Sequence, residues 1–135
     1  KGNATLFGGP GSLFTDYAAS ACSNSIRGIY AGGANYPNPG TGYTRLIQYI
    51  TMSSDGNAID FGDLSELSYA SIGVASQTRG CIVSGLAGEP DTNYITTIQD
   101  IFFSSGGTTN HFGDISTARR NLSGVSDSHG GLGGY

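Results

Sequence analysis

Few residues in this chain combine reactive chemistry with the spacing of a site. Asp60 with Asp63, and His111 with Asp114, stand three positions apart, a pairing that could serve a calcium site or a two-carboxylate hydrolase. Both pairs fall in one recurring stretch, where short polar side chains accept backbone N–H groups at a strand-to-turn junction, so they read as scaffold. His111 and His129 replace Asp60 and Arg79 of the matching stretches and have no Cys or His beside them at zinc-like spacing. Cys22 and Cys81 make no CxxC pair and read as small buried thiols in preference to a disulfide. Gly8-Gly9-Pro10-Gly11 lacks the Lys-Ser/Thr of a phosphate loop. The expectation is no catalytic, cofactor-binding or metal-binding residue, and no enzyme.

Contact chemistry is better represented. Tyr30, Tyr36, Tyr43 and Tyr49 surround an insertion at 34–44 that carries Pro37 and Pro39. Tyr presents an apolar ring with a polar tip, which suits sugar stacking or a protein interface; Tyr30 and Tyr49 belong to strands, leaving Tyr36 and Tyr43 on the loop. Arg27 and Arg79 open the same element in two units, so they are expected to bridge to an Asp or to carbonyls of the neighbouring unit. Arg119 and Arg120 do not recur. The candidate partner or glycan contacts are therefore Tyr36, Tyr43, Arg119 and Arg120.

What must position these residues is a repeat. Gly56-Asn57-Ala58-Ile59-Asp60-Phe61-Gly62-Asp63-Leu64 has an earlier form in Gly2 to Gly9 and a later one in Gly107 to Ile115; Phe7 to Phe61 is 54 positions and Phe61 to Phe112 is 51. A period near fifty is that of propellers and arrays. Three further elements recur in step: Tyr17 to Ser23 with Tyr69 to Ser76 and Asn121 to Ser126, Arg27 to Gly33 with Arg79 to Gly85, and Ile47 to Ser54 with Ile98 to Ser105. All are short, rich in β-branched, aromatic and small residues, and bounded by Gly, Asn, Asp, Ser or Pro, so they read as strands. Asp55-Gly56 and Gly106-Gly107 supply hairpin turns. Helical spacing is confined to one turn around Asp63 to Leu67. The sequence thus predicts an all-β chain of antiparallel four-stranded, propeller-blade-like repeats in a single domain over 1–135, divided as a partial repeat at 1–16, repeats at 17–64 and 65–116, and a partial repeat at 117–135. A β-prism or a stacked sheet array are the alternatives.

Composition narrows the function. Charged residues are 12% and the net charge is -4, which provides no basic surface for phosphates and disfavours nucleic acid. No run approaches the roughly 18 apolar residues of a membrane span, and nothing at the N-terminus reads as a signal peptide. The chain opens on Lys1 without an initiator Met, so it is expected to be trimmed, processed or partial. Glycine is abundant, 23 residues, at recurring positions that suit turns and close packing.

Tyr30-Ala31-Gly32-Gly33 resembles the double-glycine strand end of kelch-like repeats, from which the chain departs in having no Trp. Arg27 to Gly33, Ile47 to Thr51 and Gly56 to Leu64 together resemble repeats of virion structural proteins of tailed phages, especially cyanobacterial phages. The resemblance implies virion surface or tail-fibre architecture and names no ligand. The expectation drawn is a non-enzymatic virion component of a tail, fibre or capsid surface, in the extracellular particle, with copies of itself and other virion proteins as partners and a host-surface glycan as a further candidate. A secreted glycan-binding propeller is the alternative. Strand arithmetic adds a further expectation: a fourth strand at Asn3 to Phe7 and first and second strands in Asn121 to Tyr135 flank two full units, too few to close a ring. Open sheet edges are avoided by native proteins, so they are expected to be covered by other copies or by more of the same chain.

Overall fold

The computed structural model describes residues 2–9, 18–34, 42–88 and 92–126. Eight strands form in chain order: β1 Ser20–Ser23, β2 Arg27–Ala31, β3 Leu46–Thr51, β4 Ile59–Asp63, β5 Ile72–Ala75, β6 Arg79–Leu86, β7 Tyr94–Phe102 and β8 Asn110–Asp114. They build two four-stranded antiparallel sheets, each with neighbours in sequence order, β1-β2-β3-β4 and β5-β6-β7-β8. The chain is all-β among the described residues. The helical turn expected around Asp63 to Leu67 does not form; a bend at 65–66 carries the chain from one sheet to the next. β7 starts at Tyr94, earlier than the sequence suggests, because Leu86 pairs with Tyr94 and Gly85 with Ile95 and so extend the ladder.

Period-two alternation decides which side chains meet. Ile29, Ala31 and Ile47 of the first sheet and Ile82 and Ile101 of the second are fully buried together with Leu64 and Phe103, and Cys22, Tyr49, Phe61 and Ala75 pack around them. This apolar layer lies between the two sheets; burying each large aliphatic side chain contributes roughly 1.5–3 kcal/mol. At one end β1 and β5 run so close that a Cβ on Gly73 would overlap the Ala21 carbonyl. A side chain there would force the sheets apart.

Backbone contacts lock the stack at positions 51 to 54 residues apart. Ala18, Ala70 and Asn121 all hold positive φ, at 51°, 53° and 56°. The Ala70 N–H donates to the Ala18 carbonyl at 3.0 Å, and the Asn121 N–H to the Ala70 carbonyl at 2.9 Å. Asn121 therefore aligns with Ala70, one place away from the Tyr69 that the sequence comparison sets opposite it. Gly33 N–H donates to the Ser68 carbonyl at 3.4 Å and Gly85 N–H to that of Arg119 at 3.0 Å. At the far end Gly107 N–H reaches the Phe61 carbonyl at 2.8 Å, as Gly56 N–H reaches that of Phe7 at 2.9 Å. The 2–9 segment forms no assigned strand, yet it is seated on the first sheet as β4 is on the second. The second strand expected after Asn121–Ser126 lies outside the described residues.

Candidate functional site

The candidate surfaces are the two faces of this pair of sheets that point away from each other. The covered interface defines what each lacks. There, Gly80 faces Cys22 so closely that a Cβ built on it would lie 2.8 Å from the Cys22 Sγ. The Arg27 guanidinium lies 4.9 Å from the Tyr49 ring centre and 5.4 Å from that of Phe61, and its Nη1 donates to the Phe103 carbonyl of the second sheet. Gln99, 1% exposed, ties the 65–66 bend between the sheets to β7: its Oε1 accepts from Ser65 Oγ at 3.0 Å, Glu66 N at 3.0 Å and Thr109 Oγ1 at 2.9 Å, and its Nε2 donates to the Glu66 carbonyl at 2.8 Å. A buried amide bonded through both its oxygen and its nitrogen makes this network a fixed anchor for the chain as it passes from one sheet to the next.

The outer face of the first sheet holds a groove of ≈ 530 Å³ with Gly28, Ile50 and Met52 on its floor and Phe7 to Gly9 at one side. Among the described residues no Asp, Glu, Lys or Arg lines it. Gly28 occupies the place that Gly80 has in the second sheet, and the atoms nearest a Cβ there belong to Ile50 and Met52, at 3.2 to 3.5 Å. The outer face of the second sheet presents Arg79, which pairs with Asp100 at 3.2 Å and lies over Phe102 and Phe112 at 5.1 and 5.2 Å. Phe102 and Phe112 are 41% and 54% exposed. Beside them Asn121–Ser126 crosses β5, with a Cβ on Gly124 falling within 2.6 Å of Val74 Cγ1, and Val125 projects 96% exposed.

The contact residues picked from sequence are dispersed. Tyr36 lies outside the described residues. Tyr43 is half-buried and meets Tyr69 edge-on, ring centres 5.3 Å apart, in a small cluster with Ala34, Ala70 and Leu86. Arg119 contributes its carbonyl, which accepts from Gly85 N–H and Ser84 Oγ, while its Nε donates to the Thr117 carbonyl at 3.3 Å. Arg120 lies 5.9 Å from the Tyr94 ring. Asp60 accepts from Gly62 N–H at 3.0 Å, and Asp114 accepts from Thr96 Oγ1 at 2.8 Å beside His111 Nε2 at 3.2 Å. These carboxylates serve the local backbone and strand pairing. Among the described residues no group of three or more His, Cys, Asp or Glu is placed to hold a metal, and no helix is long and apolar enough to cross a membrane. Cys22 and Cys81 are both free thiols. Burial, then the neighbouring Cys81, pushes Cys22 up to about 12; burial and Asp100 raise Cys81, with Arg79 pulling the other way.

Sequence reasoning missed the two outer faces. Their signal was present in the paired placements of Arg27 with Phe61 and Arg79 with Phe112, and of Gly28 with Gly80, but sequence alone does not say which copy is covered. No family model matches the chain, and no curated protein matches it.

Proposed function

We propose that this chain is a non-enzymatic structural module of a phage virion, whose sheets are kelch-like, propeller-blade-like units and whose two outer faces bind copies of itself and neighbouring virion proteins on a tail, fibre or capsid surface. The observation that carries this reading is an unfinished stack. One sheet pair is joined by a defined set of glycine, arginine and aromatic contacts, and among the described residues no sheet covers the matching Gly28 on one flank or Arg79, Phe102 and Phe112 on the other. Exposed apolar surface of this kind is characteristic of interaction sites. The likeness of Arg27 to Gly33, Ile47 to Thr51 and Gly56 to Leu64 to virion repeats supports the extracellular particle as the setting.

The glycan-binding alternative draws no comparable support, since the Tyr43 ring is engaged edge-on with Tyr69. Light-scattering mass measurement paired with a glycan array separates the two. A defined multimer with no saturable sugar binding is the expected result; a monomer that binds a sugar saturably, and loses it in Tyr43→Ala, would reverse the order.

A further inference from the structure

Among the described residues, two chain segments take up strand places on opposite flanks of the two sheets. Residues 2–9 sit on the first sheet through Phe7 and Gly9 carbonyls that accept from Gly56 and Ala58 N–H at 2.9 and 3.0 Å, as Phe61 and Asp63 carbonyls accept from Gly107 and Thr109 N–H at 2.8 and 2.9 Å. They hold the place of a fourth strand. Asn121–Ser126 is tied to Ala70 as Ala70 is to Ala18, which is the place of a first strand. The two places lie on opposite flanks, with both sheets between them.

We propose that a second copy of this chain docks head to tail, its Asn121–Ser126 segment entering the groove on the first sheet across from Phe7–Gly9, so that the two copies supply the first-strand and fourth-strand places of a composite third sheet. The proposal rests on the assembly reading and names its partner and geometry. The covered interface supplies the template. Val125 matches Cys22 and Gly28 matches Gly80 in sequence position, so Val125 of one copy meets Gly28 of the next as Cys22 meets Gly80. The chemistry agrees: among the described residues no charged side chain lines the groove, and the side chain that enters it is an apolar one held out in solvent. A second pair agrees independently. A Cβ on Gly8 would overlap the Gly56 carbonyl and one on Gly62 the Gly107 carbonyl, whereas the next members of the two series, Gly113 and Gly2, have nothing within 4 Å. Head-to-tail docking brings Gly113 of one copy to Gly2 of the other. Ala21 carries a methyl where Gly73 has none, so the docked segment stands slightly farther from β1 than β1 stands from β5.

Such a contact is heterologous, with different surfaces on the two partners, and this gives it a specific test. In sedimentation velocity across a concentration series, the 135-residue chain is expected to form species of more than one copy. Val125→Asp and Met52→Asp should each weaken association roughly tenfold or more, the consequence of burying an unpaired carboxylate, with circular dichroism unchanged. Each substitution spoils one end only, so mixing the two variants should give one-to-one dimers that grow no further. Association of the unsubstituted chain that neither change weakens, or a mixture that stays monomeric, overturns the docking geometry and leaves the assembly reading standing. An unsubstituted chain that remains monomeric throughout overturns both.

Discussion

Arg27 and Arg79 hold matching places in their strands and live in different surroundings. Arg27 is covered: its guanidinium lies over Tyr49 and Phe61 and reaches across to the Phe103 carbonyl of the second sheet. Arg79 has two rings as well, Phe102 and Phe112, but among the described residues no sheet lies beyond them, and it pairs with Asp100 within its own sheet. A cation over aromatic faces gains most when water is excluded. The same residue pattern therefore acts as interface cement on the first sheet and as an exposed patch on the second. The lesson is that covering, rather than residue type, separates the two.

The sharpest way to break this comparison is at the glycines. Gly62 holds φ at 138° and abuts the Gly107 carbonyl, so Gly62→Ala adds both backbone strain and an overlap with main-chain atoms. It should cost about 3–4 kcal/mol of unfolding free energy in urea titration. Gly113→Ala, at the matching place in β8, meets open space and should leave the isolated chain within about 1 kcal/mol of the original, because the lost freedom of the unfolded chain favours Ala. Equal losses at the two sites would mean that the second sheet is already covered.

Gln99 comes next. Gln99→Leu keeps the volume but strips the acceptor from Ser65, Glu66 and Thr109, leaving buried donors without partners. The expected loss is about 2–3 kcal/mol, measured as a lower urea midpoint with an unchanged slope. A smaller contrast separates the two phenylalanines. Phe61→Ala removes a ring packed into the layer between the sheets and should cost about 2 kcal/mol; Phe112→Ala, half in solvent, should cost under about 1 kcal/mol. Should the assembly form, the Phe112 effect is expected to grow with protein concentration.

Much of the fold was legible because strand periodicity and the fifty-residue recurrence both survive in the text of the chain. Arg27, Ile47 and Phe61 stand in β2, β3 and β4, and their counterparts 51 or 52 positions on stand in β6, β7 and β8. The site was less legible. Ala18, Ala70 and Asn121 share one positive-φ conformation although two are alanines, which a propensity argument never places there; tertiary hydrogen bonds hold them. Tyr43 reads as an exposed loop aromatic, yet its ring packs against Tyr69 from the next sheet's entry, a long-range contact that spacing does not encode. Arg119 reads as a charged contact, and it is the carbonyl, common to every residue, that ties it to Gly85.

The finest test of covering uses the thiols. Cys22 points at Gly80 inside the interface, and Cys81 borders the outer face near Val125. Burial disfavours a thiolate, and Cys22 is pushed up from 9.0 to about 12. The folded protein then keeps a proton that the unfolded chain releases as pH rises past 9.0. Its contribution to stability is whole below that pH and is lost as pH climbs toward about 12. Cys22 should accordingly be alkylated more slowly than Cys81 at pH 8 to 9, because the thiolate is the reactive form, and the fall in unfolding midpoint above pH 9.0 should shrink in Cys22→Val, which carries the residue found at the matching Val74. Alkylation of Cys22 at the rate of an unstructured thiol would show that the second sheet does not cover it. Head-to-tail docking adds one further expectation: Cys81, next to Val125 at the joint, should become slower to alkylate as the chain is concentrated.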